Sequence, residues 1–572
     1  MDYLHNYRQW LNASWLSTAD KQELAQIADE KTLEDMFYTY LDFGTAGMRG
    51  VMGLGTNRMN IYMVRRVSQG FGTYIAKMGY AQRGVAIAFD SRKNSQEFAV
   101  GAAEVLAANG IRVYLYDTLR PVSYLSFAVR HLQCIGGIVI TASHNPKEYN
   151  GYKIYWEDGG QIPPLVTEKV TQEITAIQSF GDVQILPLEK GLASGMIQYI
   201  SPAVDEAYLS QVLSLITDKN SIPSTPELQV VYTPVHGTGN LPVRAALAKA
   251  GLANLHIVPQ QELPDPNFST VSSPNPEDPA TLALAMQLGE VVGADLVFGT
   301  DPDCDRISTA VKIGEHYQVL SGNQLGCVLL DYYLGALQRQ GRLPPNGVAI
   351  KTIVTTDLAR KIAESYGIAI LDVLTGFKFI GEKILEFETT NEYTYLFGFE
   401  ESCGYLAGTF VRDKDAVIAS VLTVEAASYY KKQGKNLYDA LQQLFRRHGY
   451  YKESSVSLQF DGMEGSAQIQ KIMTNCRTAP KDAVAGLRVL ALRDYATRKR
   501  ICYGTMDELD LDLPQSDVLY LELERECYVV IRPSGTEPKL KIYIGVAEAT
   551  QQKADTLHDA ICADMTQWLY SM

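Results

Sequence analysis

The chain has 572 residues, of which 46% are hydrophobic and 20% charged, and its formal net charge at neutral pH is −14. At about 150 residues per domain, this length predicts about four domains, and the composition excludes collagen-like and wholly disordered chains. The acidic balance argues against binding to nucleic acid or to an anionic membrane, because both attract a basic surface. A local cluster of Lys and Arg could still bind small anionic molecules.

The start of the chain and its cysteines predict a soluble cytoplasmic protein. The segment MDYLHNYRQWLNASW has no basic stretch followed by an apolar one, as a signal peptide would have. No apolar run approaches the ~18 residues of a membrane span. The eight cysteines include no CxxC pair, which indicates reduced thiols rather than a disulfide framework.

The predicted elements begin with helices over residues 1–36, where TADKQELAQIADE has apolar residues at helical spacing and Thr18 as a plausible cap. From residue 85, short apolar runs alternate with helical segments, starting with the strand GVAIAFDS and the helix SQEFAVGAAEVLAANG. The same alternation restarts near residue 229 and near residue 323. Strands that alternate with helices of about 10–15 residues predict βαβ units and parallel sheets.

After residue 448 the pattern changes to segments that alternate apolar and polar residues with period two, followed by a terminal helix. This pattern predicts an antiparallel sheet with one open face, and therefore an α+β domain. The sequence thus predicts three α/β domains and one smaller α+β domain. Their predicted boundaries are 1–205, 206–322, 323–448 and 449–572.

The loop from Thr141 to Pro146 directly follows the predicted strand CIGGIVI. A serine in this position can be exposed on a tight turn, so Ser143 could be a nucleophile or could carry a phosphoryl group, with His144 beside it to position that group. The alternative is a capping serine in an ordinary loop. Further on, the Asn150-Gly151 pair predicts a turn that presents Lys153 near the same loop.

A second loop, after the strand ADLVFGT, places Asp301, Asp303 and Asp305 at alternate positions. Three carboxylates this close repel one another unless a cation binds them, and such an oxygen-rich site suits Mg²⁺. An EF-hand is excluded because Arg306 and Lys312 stand where that loop needs Gly and Glu. The alternative is an acidic loop that only caps a helix.

A third loop follows the strand YTYLF and contains Glu400 and Ser402, whose carboxylate and hydroxyl could each bind a sugar hydroxyl. Lys414 lies close after it in the sequence, and Lys378 follows the strand IAILDV. Taken alone, this loop has little specificity. The segment from Gly44 to Gly50 is another Gly-rich stretch, with a single arginine, Arg49.

A fourth loop, from Arg532 to Lys539, follows the strand CYVVI. An arginine, hydroxyl groups and Gly-exposed backbone N–H groups are suited to hold a phosphate, although the segment could be a plain turn. The GxxxxGK[ST] pattern of a Walker loop is absent, and so is the full GxGxxG fingerprint of a dinucleotide site.

Taken together, these segments resemble the α-D-phosphohexomutase family, which includes phosphoglucomutases and phosphomannomutases. The resemblance rests on motifs that follow the family's order and span most of the chain. The length and the sequence around Ser143 and Glu400 are most similar to the bacterial α-phosphoglucomutases related to animal phosphopentomutases. The sequence departs from the family where Phe399 replaces the usual Gly before Glu400. The motifs are FGTAGMRG (43–50), TASHNP (141–146), DPDCDR (301–306), FEES (399–402) and RPSGTEP (532–538).

The resemblance implies four domains around a central cleft, three of them α/β with mixed, mainly parallel sheets and the C-terminal one α+β. It implies that Ser143 carries a phosphoryl group and that Ser143, Asp301, Asp303 and Asp305 ligate one Mg²⁺ per chain. It also implies two further groups of residues. The catalytic group is Ser143, His144, Lys153, Arg306 and Lys414. The substrate-binding group is Arg49, Thr375, Gly376, Lys378, Glu400, Ser402, Arg532, Ser534, Gly535, Thr536 and Lys539.

The implied activity is intramolecular phosphotransfer that interconverts α-D-glucose 1-phosphate and glucose 6-phosphate, with glucose 1,6-bisphosphate as intermediate and activator. Phosphomannomutase, mixed glucose/mannose mutase and phosphopentomutase activities, and synthesis of the bisphosphate, are alternatives within the family. A Mg²⁺-dependent sugar phosphatase and a non-catalytic sugar-phosphate binder are alternatives from other classes, and neither needs a serine at position 143. The expected partners are small sugar phosphates, and the protein is expected to be a monomer or a dimer.

Overall fold

The computed structural model describes residues 2–45, 47–460, 462–505, 507–534 and 539–572. These residues form two compact units. No helix within the described ranges is long and apolar enough to cross a membrane. The first unit contains residues up to 322, 380–398 and 402–436, and the second contains residues 323–379, 399–401 and 437–572.

Three short helices open the chain and pack around the buried side chains of Trp10 and Phe37. The predicted Thr18 cap is wrong by one residue, because the Ser17 hydroxyl accepts a hydrogen bond from the backbone N–H of Asp20 at 3.0 Å. This is the usual geometry of a helix N-cap. The helices are α1 (Tyr3–Asn12), α2 (Thr18–Ala25) and α3 (Glu30–Phe37).

A six-stranded mixed sheet with helices follows, and its central strands are apolar runs whose residues are almost all buried, as expected for strands covered on both faces. The strands are β1 (Met48–Val51), β2 (Val85–Phe89), β3 (Val113–Leu115), β4 (Gly136–Ile140), β5 (Tyr149–Trp156) and β6 (Ile197–Tyr199). The helices are α4 (Ile61–Lys77), α5 (Ser95–Ala108), α6 (Val122–His131), α7 (Pro164–Ala176), α8 (Leu188–Ser194) and α9 (Pro202–Ser214).

The order in this sheet is β1-β5-β4-β2-β3-β6. Strand β2 pairs in parallel with β4 and β3, and β3 pairs in parallel with β6. Strand β5 is antiparallel to both β4 and β1. The loops after β2 and β4 therefore emerge at the same edge of the sheet, where ligands usually bind in α/β folds.

A second mixed sheet has five strands in the order β11-β10-β9-β7-β8. Strand β7 is parallel to β8 and β9, whereas β10 is antiparallel to β9 and β11. The strands are β7 (Gln229–Thr233), β8 (Asn254–Ile257), β9 (Leu296–Thr300), β10 (Ile307–Ile313) and β11 (His316–Leu320). The helices are α10 (Asn240–Lys249), α11 (Pro259–Glu262) and α12 (Ala283–Val292).

Residues 322–448 contain a third set of alternating helices and strands, in which β12 and β13 pair in parallel. The strands are β12 (Gly347–Thr352), β13 (Ala369–Val373), β14 (Thr394–Glu400) and β15 (Gly404–Ala407). The helices are α13 (Gly322–Arg339), α14 (Leu358–Ser365), α15 (Phe377–Thr390), α16 (Ala416–Lys431) and α17 (Leu437–His448).

The C-terminal segment forms an antiparallel eight-stranded sheet, and α19 contacts β16 and β23. Helix α18 was not predicted from the sequence. The strands are β16 (Tyr450–Gln459), β17 (Ala483–Val484), β18 (Leu487–Asp494), β19 (Lys499–Cys502), β20 (Glu508–Asp510), β21 (Leu519–Leu523), β22 (Tyr528–Pro533) and β23 (Lys539–Glu548). The helices are α18 (Gly462–Thr478) and α19 (Gln551–Tyr570).

Candidate active site

The loop after β4 turns sharply at Ser143, whose backbone has a left-handed φ of 52°. The backbone N–H of Ser143 donates to the Thr141 hydroxyl at 2.8 Å. Ser143 is a buried residue, with an exposed fraction of 4%, and its Oγ lies 3.1 Å from Nδ1 of His144. The same Oγ donates to Oδ2 of Asp301 at 3.1 Å, so the two predicted loops meet at the Ser143 hydroxyl.

The three aspartates of the loop after β9 are buried, and oxygen atoms of all three lie within 4.8 Å of one another. The backbone folds around Asp301, whose Oδ1 accepts hydrogen bonds from the backbone N–H groups of Asp305 and Arg306, both at 3.0 Å. Asp303 accepts from the Lys153 ammonium at 3.1 Å. Asp301, Asp303 and Asp305 are therefore fixed with their carboxylates gathered at one point.

The carboxylates fit a hard cation. Among the residues that the structure describes, Oδ1 of Asp303 and Oδ1 of Asp305 are buried and accept no hydrogen bond. A buried carboxylate oxygen without a partner costs free energy, and a divalent cation with oxygen ligands removes that cost. The site offers carboxylate oxygens and a hydroxyl, with no thiolate or imidazole among the three grouped side chains.

The aspartates differ in their acidity. Burial raises the pKa of Asp301 well above its usual value, and the carboxylates of Asp305 and Asp303 raise it further. Burial alone would also raise the pKa of Asp303, but the Lys153 ammonium, a hydrogen bond with Asp301 and the Lys414 ammonium together outweigh burial, and the pKa falls to about 2. Without a cation, Asp303 thus carries negative charge while Asp301 tends to keep a proton.

Basic side chains surround this cluster. Lys414 lies 3.2 Å from Oδ2 of Asp305, and Arg49 donates to Oδ1 of Asn145 in the Ser143 loop at 2.8 Å. Arg306 pairs with Glu277 at 2.5 Å. The structure therefore brings together seven of the predicted residues around Ser143 and Asp301. They are His144, Lys153, Asp303, Asp305, Arg306, Lys414 and Arg49.

His144 is neutral at neutral pH. Burial lowers the pKa of its imidazole well below the usual value, and the nearby cations Arg306, Arg49 and Lys153 lower it further. A neutral imidazole has one nitrogen that can accept a proton and one that can donate. His144 can therefore accept or return a proton at Ser143 Oγ, but it adds no positive charge to the site.

The predicted turn at Asn150-Gly151 is wrong, because both residues lie within β5 and pair with β1. Gly151 is needed for a different reason. A Cβ atom at this position would lie 2.5 Å from the backbone oxygen of Thr141, so only glycine allows the strand to approach the Ser143 loop this closely. Lys153 is accordingly presented by a strand, two residues further on.

Of the residues predicted to bind the sugar, Thr375 and Gly376 follow β13, and Glu400 is the last residue of β14. In the second unit, the Glu400 carboxylate is 5% exposed and accepts a hydrogen bond from the backbone N–H of Gly376 at 3.0 Å. Thr375 precedes this glycine, and the Lys378 ammonium lies 4.9 Å from the centre of the Phe379 ring. Ser402 belongs to the first unit and is half-buried.

The residues predicted to hold a phosphate lie where β22 ends and β23 begins. Arg532 is in β22, and the backbone N–H of Ser534 donates to the carbonyl of Lys539 at 2.8 Å, so the end of β22 is hydrogen-bonded to the start of β23. Both Arg532 and Lys539 are half-buried. Gly535 and Thr536 lie outside the described residues.

Three consecutive segments of the chain match the family described as phosphoglucomutase/phosphomannomutase. Residues 41–180 match its alpha/beta/alpha domain I, residues 206–314 match domain II and residues 321–448 match domain III. The chain belongs to the phosphoglucomutase/phosphomannomutase family. This confirms the family resemblance and the enzyme class that the motifs predicted, while the four domain boundaries stay predictions.

Curated relatives of this phosphoglucomutase/phosphomannomutase family member align with nearly its whole length. The phosphoglucomutase of Staphylococcus haemolyticus is 37% identical over 557 residues, which are 96% of this chain and 99% of the relative. That of Staphylococcus aureus strain MRSA252 is 38% identical over 541 residues, 93% of this chain and 95% of the relative.

Solved structures confirm the fold. A phosphoglucomutase/phosphomannomutase family protein from Burkholderia thailandensis superimposes with a TM-score of 0.66 at 18% identity, over 92% of this chain and 97% of the other. The open form of parafusin, a phosphoglucomutase from Paramecium, superimposes with a TM-score of 0.68 at 16% identity, over 93% and 95% of the two chains. The predicted α/β architecture with an additional C-terminal domain is therefore confirmed.

Two residues of this family member contact the Ser143 loop without having been predicted. Asp90 and Arg92 follow β2, and Arg92 donates hydrogen bonds to backbone carbonyls of the loop. The rule that ligands gather at the carboxyl ends of strands applies to β2 as well as to β4, and it could have drawn attention to them. A third missed residue is Asp413, which accepts from Tyr155 at 2.6 Å and lies 3.4 Å from the Lys414 ammonium.

Proposed function

We propose that the protein interconverts α-D-glucose 1-phosphate and glucose 6-phosphate by intramolecular phosphotransfer. Relatives named phosphoglucomutase, at 37% and 38% identity over nearly the whole chain, support the substrate. The observation that carries the proposal is the buried Ser143 hydroxyl, which is hydrogen-bonded to Asp301 within a group of three carboxylates. A phosphoryl carrier next to a cation site is what a mutase needs.

We propose Mg²⁺ as the cation, with Asp301, Asp303, Asp305 and the oxygen of Ser143 as the groups that would hold it. Carboxylate and hydroxyl oxygens are the ligands that Mg²⁺ prefers, and the unpartnered oxygens of Asp303 and Asp305 are free to bind it. When bound, the ion would neutralise the negative charge that accumulates on a phosphoryl group during transfer.

In the first half-reaction, the phosphoryl group on Ser143 moves to the free hydroxyl of the hexose monophosphate. The bond between Ser143 Oγ and phosphorus breaks, a bond from the sugar oxygen to phosphorus forms, and the product is glucose 1,6-bisphosphate. The sugar hydroxyl gives up one proton and Ser143 Oγ regains one. In the second half-reaction the other phosphate returns to Ser143, so an enzyme that has lost its phosphate needs the bisphosphate as activator.

His144 moves the proton at Ser143 Oγ in this proposal. Its Nδ1 lies 3.1 Å from that oxygen, within the range of a hydrogen bond, and the imidazole is neutral. Lys153 and Lys414 are ion-paired with Asp303 and Asp305, at 3.1 Å and 3.2 Å. They act as fixed positive charges that orient the carboxylates and attract the phosphate.

Arg49 and Arg306 supply positive charge on the side of the Ser143 loop. Arg306 is held by Glu277, and Arg49 is held by Asn145. Phosphoryl transfer depends mainly on such positioning and charge neutralisation, since little covalent help is needed. Arginine keeps its charge at all relevant pH values and can bind two phosphate oxygens at once.

The substrate-binding residues follow from the family resemblance. Glu400 and Ser402 would bind hydroxyls of the sugar, with Thr375, Gly376 and Lys378 beside them in the sequence-predicted site. The phosphate that is not transferred would be held by the C-terminal loop. Because C1 and C6 must take turns at Ser143, these contacts must serve two orientations of the sugar. The phosphate-holding residues would be Arg532, Ser534, Gly535, Thr536 and Lys539.

The predicted cytoplasmic location and the monomeric or dimeric state stay predictions. We infer that the ligands are small sugar phosphates rather than nucleic acid or membrane, in agreement with the formal net charge of −14.

A coupled assay of glucose 1-phosphate with Mg²⁺ and a trace of glucose 1,6-bisphosphate tests the proposal. Mannose and ribose phosphates are assayed in parallel, with inorganic phosphate measured as a side product. We expect glucose 6-phosphate as the main product and no net release of phosphate. Ser143→Ala should abolish turnover, whereas Ser420→Ala, which removes a buried hydroxyl that donates to Ala416, is the matched control.

The outcomes separate the alternatives. Conversion of only the mannose or only the ribose phosphate would change the substrate and keep the mechanism. Fast release of inorganic phosphate would indicate a phosphatase, and binding without turnover would indicate a sugar-phosphate binder. Wild-type turnover by Ser143→Ala would overturn the phosphoserine mechanism itself.

A further inference from the structure

The guanidinium of Arg92 is buried beneath the Ser143 loop and its hydrogen bonds go to the loop backbone. Nη1 donates to the carbonyls of Pro146 at 2.8 Å and Tyr149 at 3.1 Å. Nη2 donates to the carbonyls of Ser143 at 2.6 Å and Asn145 at 2.5 Å. One side chain therefore binds four carbonyls, that of Ser143 at the sharp turn and three that follow it in the chain.

Asp90 sets the orientation of this guanidinium. Its Oδ2 lies 3.3 Å from Nε of Arg92, and its Oδ1 accepts from the Arg92 backbone N–H at 2.9 Å and from the Ser95 hydroxyl at 2.6 Å. The ring of Phe268 lies 5.0 Å from the guanidinium carbon and covers it on one face. Arg92 is thus held by a carboxylate at one end and an aromatic ring at its face.

The arrangement leaves Arg92 no donor for a substrate phosphate. The guanidinium has five N–H groups, and the four on Nη1 and Nη2 are directed at carbonyls. The fifth, on Nε, makes no hydrogen bond within the described residues, but it is buried and its nitrogen lies 3.3 Å from Asp90 Oδ2. The side chain of Arg92 is also completely buried. Arg92 therefore differs from Arg49 and Arg306, and any effect on the reaction must pass through the loop.

The loop needs such support because Ser143 has a left-handed backbone, which residues other than glycine adopt only when their surroundings enforce it. The bond from Arg92 to the Ser143 carbonyl fixes the peptide that follows this residue. The Thr141 hydroxyl fixes the peptide that precedes it. Together these two bonds determine the direction of Ser143 Oγ, which points to Asp301 and His144.

We propose that Arg92, oriented by Asp90, is a positioning residue that holds the Ser143 loop so that Ser143 Oγ stays directed at Asp301. The effect on the reaction rests on the proposed function, in which Ser143 Oγ carries the phosphoryl group. The structural part of the proposal, the ordering of residues 141–149 by one guanidinium, is independent of the reaction.

Lysine at position 92 keeps the positive charge but has a single nitrogen, which cannot reach four carbonyls in a fixed plane. We expect Arg92→Lys to lower kcat about 100-fold or more, the range that a misplacement of about 1 Å causes, while KM changes by less than about threefold. Hydrogen exchange of the peptide containing residues 141–149 should become at least about tenfold faster, because opening of the loop becomes easier.

Arg83→Lys is the matched control. Arg83 also donates to two backbone carbonyls, those of Gln133 and Cys134, and pairs with a carboxylate, that of Glu157, but it does not contact the loop. We expect Arg83→Lys to leave kcat and exchange of residues 141–149 at wild-type values. Asp90→Asn keeps the side-chain shape, and it should lower kcat and speed exchange of residues 141–149 by smaller factors than Arg92→Lys does. It replaces Arg92→Lys in the test if the Arg92→Lys variant does not fold.

The proposal is overturned if Arg92→Lys has wild-type kcat, or if kcat falls while exchange of residues 141–149 equals that of Arg83→Lys. It is also overturned if exchange rises equally over the whole first unit, which would show a general loss of stability. Should the wild-type enzyme fail to convert any sugar phosphate, the proposed function fails, and the exchange comparison still decides whether Arg92 orders the loop.

Discussion

Ser143 Oγ and Asp301 Oδ2 are 3.1 Å apart although 158 residues separate them in the chain. The contact joins the loop after β4 to the loop after β9, each at the carboxyl end of a strand. It places the hydroxyl that would carry the phosphoryl group on a carboxylate, that of Asp301, whose pKa burial raises well above its usual value.

This relationship predicts that cation binding releases a proton. Asp301 tends to be protonated in the cation-free protein, and a carboxylic acid must lose its proton before it can bind Mg²⁺. We expect the affinity for Mg²⁺ to rise with pH. Calorimetric titrations in two buffers of different ionisation enthalpy measure the protons released per ion, and Asp301→Asn should release fewer. An affinity that does not change with pH would argue against a protonated Asp301.

Asp303→Asn should remove both the Mg²⁺ dependence and most of the activity. The variant loses the charge that pairs with the Lys153 ammonium at 3.1 Å, and it leaves that buried cation without a carboxylate in contact. We expect kcat to fall at least about 100-fold, the scale at which lost transition-state charge stabilisation is measured. Steady-state rates over a range of Mg²⁺ concentrations test this. Unchanged Mg²⁺ binding would show that Asp303 is not a ligand.

Lys351→Met should destabilise the second unit. The Lys351 ammonium is 2% exposed and contacts Asp357 at 3.1 Å and Asp372 at 3.2 Å, and it donates to the Thr355 carbonyl at 3.0 Å. Removing the buried ammonium leaves Asp357 without its closest cation, whereas Asp372 keeps its pair with Arg360 at 2.8 Å. We therefore expect a loss of about 1.5–3 kcal/mol, the scale of hydrogen bonds to charged groups. Urea unfolding followed by a probe in the C-terminal segment measures the loss of free energy.

The control for this variant is Lys361→Met. Lys361 pairs with Glu526 at 3.1 Å, but its side chain is 37% exposed, so the pair is screened by solvent. We expect a loss below about 1 kcal/mol. Equal effects of Lys351→Met and Lys361→Met would show that the buried lysine has no special structural role.

Glu453→Gln should stabilise the protein at alkaline pH. Burial raises the pKa of Glu453 to about 7, and the Asp357 carboxylate contributes to the rise, against opposing effects of Thr356 and Lys351. Because its pKa is raised, the carboxyl keeps its proton to a higher pH in the folded state than in the unfolded state. Its contribution to stability is therefore fully present below about pH 4.5 and is lost as the pH rises through about 7. Glutamine does not ionise and avoids this loss.

The difference in free energy of unfolding between Glu453→Gln and wild type should grow from near zero at pH 4 to about 3 kcal/mol at pH 8. Denaturant titrations at several pH values measure it. Glu526→Gln, at an exposed position, should show no such growth. A difference that stays constant or shrinks as the pH rises would mean that folding does not raise the pKa of Glu453.

Local sequence patterns predicted the strand-end loops because a strand followed by unusual polar residues is visible within about ten positions. Ser143, Asp301, Asp303 and Asp305 belong to this class, and the structure brings them together. The Asn150-Gly151 turn was predicted wrongly for the same reason. Locally this pair favours a turn, whereas its glycine is required by the close approach of the Thr141 carbonyl.

Residues that act through long-range contacts could not be predicted from local patterns. Arg92 is a single arginine after a strand, and nothing nearby shows that it will bind carbonyls more than fifty positions away. Likewise, nothing in the sequence near Lys351 shows that its ammonium will pair with the Asp372 carboxylate. Helix α18 was missed between two predicted strands, and the Ser17 cap was misplaced by one residue because Thr18 beside it is an equally good capping residue.

The most direct test of the account is to follow a labelled phosphoryl group. The enzyme is incubated with glucose 1,6-bisphosphate labelled in phosphorus, separated from it, and either digested for mapping or mixed with unlabelled glucose 1-phosphate. We expect label on the peptide that contains Ser143 and its transfer to glucose 1,6-bisphosphate within a single turnover. Label on another residue, or its release as inorganic phosphate instead of transfer to the sugar, would contradict the account.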